Sequence, residues 1–217
     1  AIIPCLVHPD GYALYQSKVA KVRPSVASWD PLEVLCDEAS KFGLAVHAWN
    51  CVFAEGPHSN LMEQHPEAVG VDRNGKPTND VFYDTSGWAC PVRPESQAYE
   101  LAIYQEMIDN YDVAAVHIDY IRYKDETLCY CDYCRATFKG EFGVDPVEID
   151  FEHVNWSDWT DWRVAQITRF AEAVRERATA AGKTVSAGVF ADYPNCVWGV
   201  GQDWEDWGRR GLVDIMM

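Results

Sequence analysis

The sequence predicts an α/β fold, a (β/α)8 TIM barrel that is present here as a partial barrel. Continuously apolar runs alternate with amphipathic runs, which is typical of a parallel sheet covered by helices. No glycine-rich phosphate loop follows any apolar run, which disfavours a doubly wound nucleotide-binding fold. Long loops rich in Trp, His, Asp and Asn follow the strand ends, where (β/α)8 barrels carry their active sites. Five strands cannot close such a barrel, so we expect the missing strands to lie outside this chain.

The elements follow one another in a regular order along the chain. Five apolar runs predict strands at residues 1–8, 44–53, 113–123, 183–193 and 212–217. Amphipathic runs predict helices at residues 29–43, 94–112, 129–143, 156–182 and 202–211. The first helix has clear ends, because Asp30 is a good N-cap, Pro31 suits the first helical position and Gly43 stops the helix. We expect residues 1–217 to form a single barrel domain that is truncated at both ends.

The composition of the 217 residues excludes some classes of function. The formal net charge is −16, which makes a nucleic-acid partner unlikely because phosphate binding needs a basic face. No run approaches the roughly 20 apolar residues of a membrane span. The first residues lack the basic region and cleavage site of a signal peptide, and the chain does not begin with Met. We therefore interpret it as an internal part of a longer protein.

The apolar run 113–123 ends in polar side chains, which is unusual for a buried strand. Side chains alternate along a strand, so His117 and Asp119 share one face while Tyr120 and Arg122 share the other. A carboxylate at the carboxyl end of a barrel strand points to function, and we predict that Asp119 is catalytic. We expect His117 to orient Asp119 from below and Arg122 to clamp a ligand at the entrance. The alternative is a buried, purely structural His117–Asp119 pair.

Further candidates follow the other strands and their loops. His47, Trp49 and Asn50 end the second apolar run, and Trp88 and Trp198 lie in or beside strand-end loops. Flat aromatic faces at the rim of a site suit the apolar faces of sugar rings. Other residues have plainer interpretations: Asp192 precedes Pro194 and suits a turn, Asp214 suits a structural role, and Trp156, Trp159 and Trp162 recur at helical spacing and suit the core.

Several stretches resemble, in order, the glycosyl-hydrolase-like family 10 proteins. They are "ALYQSKVAK", "SWDPLEVLCDEASKFGLAVHAWN", "HPEAVGVDRNGK", "RPESQAYELAIYQEMIDNYDVAAVHIDYIRY" and "WGRRGLVDIMM". The resemblance implies a bacterial (β/α)8 barrel of which this chain carries about strands two to six. It also implies an exported protein, and one division-associated enterobacterial member acts on the glycan strands of peptidoglycan.

The resemblance assigns expected roles to individual residues. Asp119 matches the family's strand-four carboxylate, and Arg122 with Tyr123 matches the end of its "DYIRY" motif. His47, Trp49 and Asn50 match the polar end of the third strand. The implied chemistry is two-carboxylate glycoside hydrolysis, which requires no cofactor. The second carboxylate is Asp84 or Asp192, or lies beyond Met217. A non-catalytic carbohydrate-binding barrel is the alternative.

Three cysteines, Cys129, Cys131 and Cys134, lie within six residues of one another. Three thiolates at this spacing can converge on one ion, and a fourth ligand would complete a structural zinc site. Cys90, Cys196 or a nearby His would serve as the fourth ligand. The alternatives are free thiols and a zinc-stapled interaction module without enzymatic activity.

Overall fold

The structure is a computed structural model and describes residues 1–56, 58–77 and 87–217. Its described strands form one seven-stranded sheet with the order β3-β2-β1-β4-β5-β6-β7. The strands are β1 (Cys5–Val7), β2 (Tyr12–Ala13), β3 (Lys21–Val22), β4 (His47–Cys51), β5 (Ala115–Asp119), β6 (Thr184–Ala187) and β7 (Ile215–Met216). The α-helices are α1 (Pro31–Lys41), α2 (Asn60–Gln64), α3 (Pro94–Asn110), α4 (Asp132–Phe142), α5 (Trp156–Ala180), α6 (Asn195–Val200) and α7 (Trp204–Arg209).

The predicted parallel sheet is confirmed for the five strands β1, β4, β5, β6 and β7, which pair in parallel in that order. Helices connect each of these strands to the next, so the chain repeats the strand–helix unit of a (β/α) barrel. The carboxyl ends of β4 and β5 are in register, because their last residues, Cys51 and Asp119, lie opposite each other. The carboxyl ends of the central strands therefore meet at one edge of the sheet.

Two strands at one edge of the sheet, β2 and β3, were not predicted. Each contains two residues, which is too short to leave a periodic pattern in the sequence. Strand β2 runs antiparallel to β1 after a turn at Gly11, whose φ is +89°. A Cβ at Gly11 would lie 2.3 Å from the backbone nitrogen of Ser59, so this turn depends on close backbone approach that only glycine allows.

The strands are shorter than predicted, which changes the position of Arg122. The run 113–123 forms a strand only as far as Asp119, because Tyr120 has a φ of +57° and leaves the ladder there. Arg122 and Tyr123 consequently lie on the loop that follows β5. The alternation expected for a strand does not apply to them.

The predicted helices are confirmed, with one correction at the start of α5. The carboxylate of Asp30 accepts hydrogen bonds from the backbone nitrogens of Leu32 and Glu33, as expected for the N-cap of α1. Trp159 and Trp162 are buried and stack with ring centroids 5.3 Å apart. The prediction that Trp156 is a core residue was wrong, since 41% of it is exposed at the first position of α5. Within the described residues, no helix is both long and apolar enough to cross a membrane.

Candidate active site

Asp119 is the last residue of β5 and lies at the carboxyl edge of the sheet. One of its oxygens, Oδ1, accepts a hydrogen bond from the backbone nitrogen of Tyr120 at 2.7 Å. It borders a pocket of about 280 Å³. The described lining residues are Asp119, Tyr120, Arg122, Gly188, Val189, Phe190, Gln202 and Met217. The predicted catalytic residue thus lies in a pocket at the edge where barrel enzymes carry their sites.

The surroundings of Asp119 favour its protonated form. Burial raises the pKa of Asp119 above its ordinary value of 3.8, while the Tyr120 N–H and the positive charge of Arg122 act in the opposite direction. Burial is the largest of these effects, because a carboxylate loses hydration when it leaves water. A carboxyl group with a raised pKa in a pocket suits the donation of a proton.

Arg122 is fixed by the chain around it. Its Nη1 donates to the carbonyl oxygens of Tyr123 at 3.0 Å and Lys124 at 2.8 Å. Its guanidinium carbon lies 4.6 Å from the ring centroid of Trp88 and 5.0 Å from that of Phe190. Arg122 borders the pocket, and these contacts hold its side chain in place at the pocket wall.

Trp88 does not present an open face to the pocket. It is 6% exposed, and its indole nitrogen donates to the carbonyl oxygen of Arg122 at 3.3 Å. Trp88 also packs on Tyr120, with ring centroids 5.8 Å apart. Its position under Arg122 and Tyr120 makes it a support for the pocket wall. A role in direct sugar stacking, which the sequence suggested, does not fit this burial.

His117 does not orient Asp119 through a hydrogen bond, contrary to expectation. Its Nδ1 lies 2.9 Å from Ser186 Oγ, and the Nδ1 of His47 lies 3.0 Å from the same oxygen. Burial lowers the pKa of both histidines, to about 4 for His117, so both rings are neutral at pH 7. Ser186 Oγ has one proton to donate and two lone pairs that accept, so the direction of each bond depends on the tautomers of the two rings. His47, His117 and Ser186 form a polar layer below Asp119.

Asn50 and Trp49 face opposite sides of β4. Asn50 is fully buried, and its amide donates to Glu100 Oε2 of α3 at 2.7 Å. It lies between sheet and helix, and the structure does not bring it to the pocket. Trp49 is on the other face and packs edge-on against His117, with ring centroids 5.7 Å apart. The alternation of side chains along a strand separates these neighbours.

Of the two numbered candidates for the second carboxylate, Asp192 is among the described residues and Asp84 is not. Asp192 is exposed, and its carboxylate accepts from the amide of Asn195 at 3.1 and 3.2 Å, which fits the turn role. Asp84 lies outside the described residues. Asp119 is the single carboxylate among the described residues that line the pocket. Asp214 has the predicted structural role, since it accepts from the backbone nitrogen of Val185 and from Arg175.

Several residues of the site were missed by sequence reasoning. Gln202 is buried, accepts from the backbone nitrogen of Phe190 at 3.0 Å and reaches towards the carbonyl oxygen of Ile121 at 3.4 Å. It joins the loops that follow β5 and β6 behind the pocket. Gly188 follows β6 directly and leaves space for Asp119, because a Cβ there would lie 2.8 Å from Oδ1. A lone Gln and a lone Gly carry no pattern that could have revealed these roles.

A pair of buried carboxyl groups, Glu55 and Glu100, was also missed. Glu100 accepts from the amide of Asn50 and, at 2.8 Å, from the backbone nitrogen of Phe53. Burial raises the pKa of both carboxyls, and the charge of Glu100 raises the pKa of Glu55 further. Neither residue is among the described residues that line the pocket around Asp119, so we place the pair outside the site.

The cysteine cluster gains its fourth member from a distant segment. The sulfur atoms of Cys90, Cys129, Cys131 and Cys134 all lie within 4.8 Å of one another, and all four residues are buried. Cys196, the other cysteine considered for this position, instead donates to the carbonyl oxygen of Gln202 at 3.3 Å. These four cysteines are the described group that could hold a metal ion.

Proteins that resemble this chain in sequence or in fold include glycosyl hydrolases. Glycosyl hydrolase YngK of Bacillus subtilis (strain 168) is 23% identical over 188 residues, which cover 84% of this chain and 33% of that protein. The glycoside hydrolase domain of PgaB (BpsB) from Bordetella bronchiseptica superposes with a TM-score of 0.69 at 15% identity, covering 89% of this chain and 56% of the other. Alpha-L-fucosidase isoenzyme 2 from Paenibacillus thiaminolyticus superposes with a TM-score of 0.67 at 20% identity, covering 85% and 26%.

The two superpositions show that the chain shares the fold of glycoside hydrolase (β/α)8 barrels. The chain spans about a third of the length of YngK. A family model described as Glycosyl hydrolase-like 10 matches the sequence over residues 1–217. The chain therefore belongs to the glycosyl hydrolase-like 10 family.

Proposed function

We propose that the protein hydrolyses O-glycosidic bonds of a polysaccharide or other glycan, with Asp119 as one of two catalytic carboxyl groups. The observation that carries this proposal is the position of Asp119, half-buried at the carboxyl edge of a parallel sheet with a raised pKa. The family of the chain and the glycosidase fold support the same class of reaction. An exported location is part of the proposal, on the basis of the family resemblance.

The geometry suits Asp119 as the proton donor. In glycoside hydrolysis one carboxyl group protonates the leaving oxygen, and a second carboxylate attacks the anomeric carbon or activates water. Tyr120 and Phe190 border the pocket beside Asp119 and supply aromatic surface for the apolar face of a sugar ring. Asp192 is a poor candidate for the second carboxylate, because it is exposed and bonded to Asn195, which leaves Asp84 and a residue outside this sequence.

A non-catalytic carbohydrate-binding barrel is the second candidate function. It is favoured by the single carboxylate among the described lining residues, because hydrolysis needs two. Such a protein would use the same aromatic and charged wall to bind a glycan without cleaving it. The partner is a glycan under both hypotheses, so cleavage is the property that separates them.

A glycan screen tests the proposal. We would incubate the protein and its Asp119→Asn variant with denuded peptidoglycan strands and with plant and host polysaccharides, measuring both new reducing ends and retention on each insoluble glycan. New reducing ends that the variant fails to produce would support hydrolysis and identify the substrate class. Retention by both proteins without new reducing ends would favour the binding barrel.

The Gly188→Ala variant is expected to lower glycan cleavage by about 10- to 100-fold, because small displacements of a reacting group are costly. Its Cβ would come within 2.8 Å of Asp119 Oδ1 and 3.0 Å of Cγ, so the carboxyl group has to move. Gly199→Ala is the matched control, since a Cβ at Gly199 meets nothing within 4 Å. Equal rates for both variants, measured on the most active glycan, would show that the position of Asp119 does not matter.

A further inference from the structure

Four cysteine side chains from separate parts of the chain converge in the interior. Cys129 precedes α4, Cys131 is the N-cap of α4 and Cys134 lies in its first turn, whereas Cys90 comes from the segment before α3. The sulfur of Cys90 lies 3.4 Å from that of Cys134 and 3.6 Å from that of Cys131. Four thiolates bound to one zinc ion at about 2.3 Å are separated by roughly 3.8 Å, which is close to this arrangement.

The surroundings of the four cysteines favour negatively charged thiolates over neutral thiols that only fill space in the core. A zinc ion with four thiolates carries a net charge of −2, which needs positive neighbours. The guanidinium of Arg93 is beside Cys131, and the sulfur atoms gather at the amino end of α4, where the helix dipole favours negative charge. All eight cysteines of the chain have free thiols, so no disulfide competes for these four.

We propose that Cys90, Cys129, Cys131 and Cys134 bind one structural Zn²⁺ ion. The four thiols release their protons to solvent as the metal binds. Four protein ligands fill the tetrahedral coordination of zinc and leave no position for water or substrate, which distinguishes structural from catalytic zinc sites. The proposal rests on the cysteine geometry and does not depend on the proposed hydrolysis.

The metal would join the segment that follows β4, where Trp88 supports the pocket wall, to the loop that follows β5, where Tyr120 and Arg122 line the pocket. The first loop follows β4 and contains Trp88, which lies two residues before Cys90. The indole nitrogen of Trp88 donates to the carbonyl oxygen of Arg122. The second follows β5 and contains Tyr130, whose backbone nitrogen donates to the carbonyl oxygen of Val71 at 2.9 Å. A zinc ion between these loops would therefore hold Trp88 and Arg122 in place without touching the pocket.

Metal analysis of the purified protein tests the proposal. We expect one zinc ion per chain after gel filtration, and the same content in Cys36→Ser, which changes a buried cysteine of α1 outside the cluster. Cys90→Ser is expected to lose most of its zinc in the presence of a competing chelator. Removal of zinc from the unchanged protein should lower Tm, and Co²⁺ in its place should give thiolate-to-cobalt charge-transfer bands that indicate four sulfur ligands.

Two measurements on the unchanged protein keep the proposal falsifiable if Cys90→Ser fails to fold. A folded, reduced protein that contains no zinc and takes up neither Zn²⁺ nor Co²⁺ would overturn it. A coloured, iron-loaded protein would overturn the assignment to zinc. Because metal content is measured without any glycan, a failure here is distinguishable from a failure of the proposed hydrolase activity.

Discussion

The Asp119→Asn variant is expected to cleave its glycan about 10²- to 10⁴-fold more slowly than the unchanged protein, the usual contribution of a positioned acid or base. The amide has the shape of the carboxyl group, and its oxygen can still accept from the backbone nitrogen of Tyr120. It cannot donate a proton as a carboxylic acid does. The loss should therefore appear in kcat, while the affinity for the glycan, measured on the inactive variant, stays within a few fold.

Asp192→Asn is the matched control for this prediction. It makes the same chemical change on an exposed carboxylate that is bonded to Asn195 and does not line the pocket. We expect its kcat to remain near that of the unchanged protein. A loss in Asp192→Asn with full activity in Asp119→Asn would reverse our assignment of the two residues.

The pH profile of kcat/KM tests which role Asp119 has. A proton donor must be protonated, so its contribution is lost as the pH rises through its pKa, which lies above 3.8. We therefore expect an alkaline limb that Asp119 controls. An acidic limb from the same residue would instead identify Asp119 as the nucleophile or base.

The Glu55→Gln variant is expected to be more stable than the unchanged protein at neutral and alkaline pH. Both Glu55 and Glu100 have pKa values raised by burial in the folded state, while the unfolded chain has the ordinary value of 4.5. Because the pKa is raised in the folded state, the folded state binds more protons than the unfolded state at pH values above 4.5. The free energy of unfolding therefore has its full contribution from these groups below pH 4.5. Above pH 4.5 it falls by about 1.4 kcal/mol per pH unit for each carboxyl group that is still protonated in the folded state.

Glutamine removes one of the two titrating groups and keeps the shape of the side chain. The free energy of unfolding, measured with urea at several pH values, should therefore fall less steeply in Glu55→Gln than in the unchanged protein. Asp10, Asp145 and Asp214 have lowered pKa values and act with the opposite sign, but they are common to both proteins and cancel in the difference. If the free energy of unfolding fell equally steeply with pH in both proteins, Glu55 would not be the source of the pH dependence.

Glu38→Gln is the control for the stability measurement. Glu38 is exposed and pairs with Lys41, so its replacement should change the free energy of unfolding by about 1 kcal/mol or less. Its curve should run parallel to that of the unchanged protein above pH 4.5. A comparable flattening in Glu38→Gln would mean that general charge repulsion, which a net charge of −16 produces, dominates the pH dependence.

The sequence by itself determined the elements whose signals are local. Helix α1 was predicted from its Asp30 cap, and the parallel strands from their apolar runs, because capping and periodicity act within a few residues. The sequence also predicted Asp119 at the carboxyl rim of its strand, but it predicted a strand that continues to residue 123, whereas β5 ends at Asp119. The order of these elements was enough to predict a barrel.

Only the tertiary structure decided which distant groups meet. His117 is hydrogen-bonded to Ser186, and Asn50 to Glu100, and each partner is more than 40 positions away in the sequence. Cys90 lies beside the three cysteines of the loop that follows β5. Strand β2 exists because it pairs with β1. Contacts of this kind depend on how the elements pack, and the chain carries no local pattern for them, since one polar residue in a strand looks the same whatever faces it.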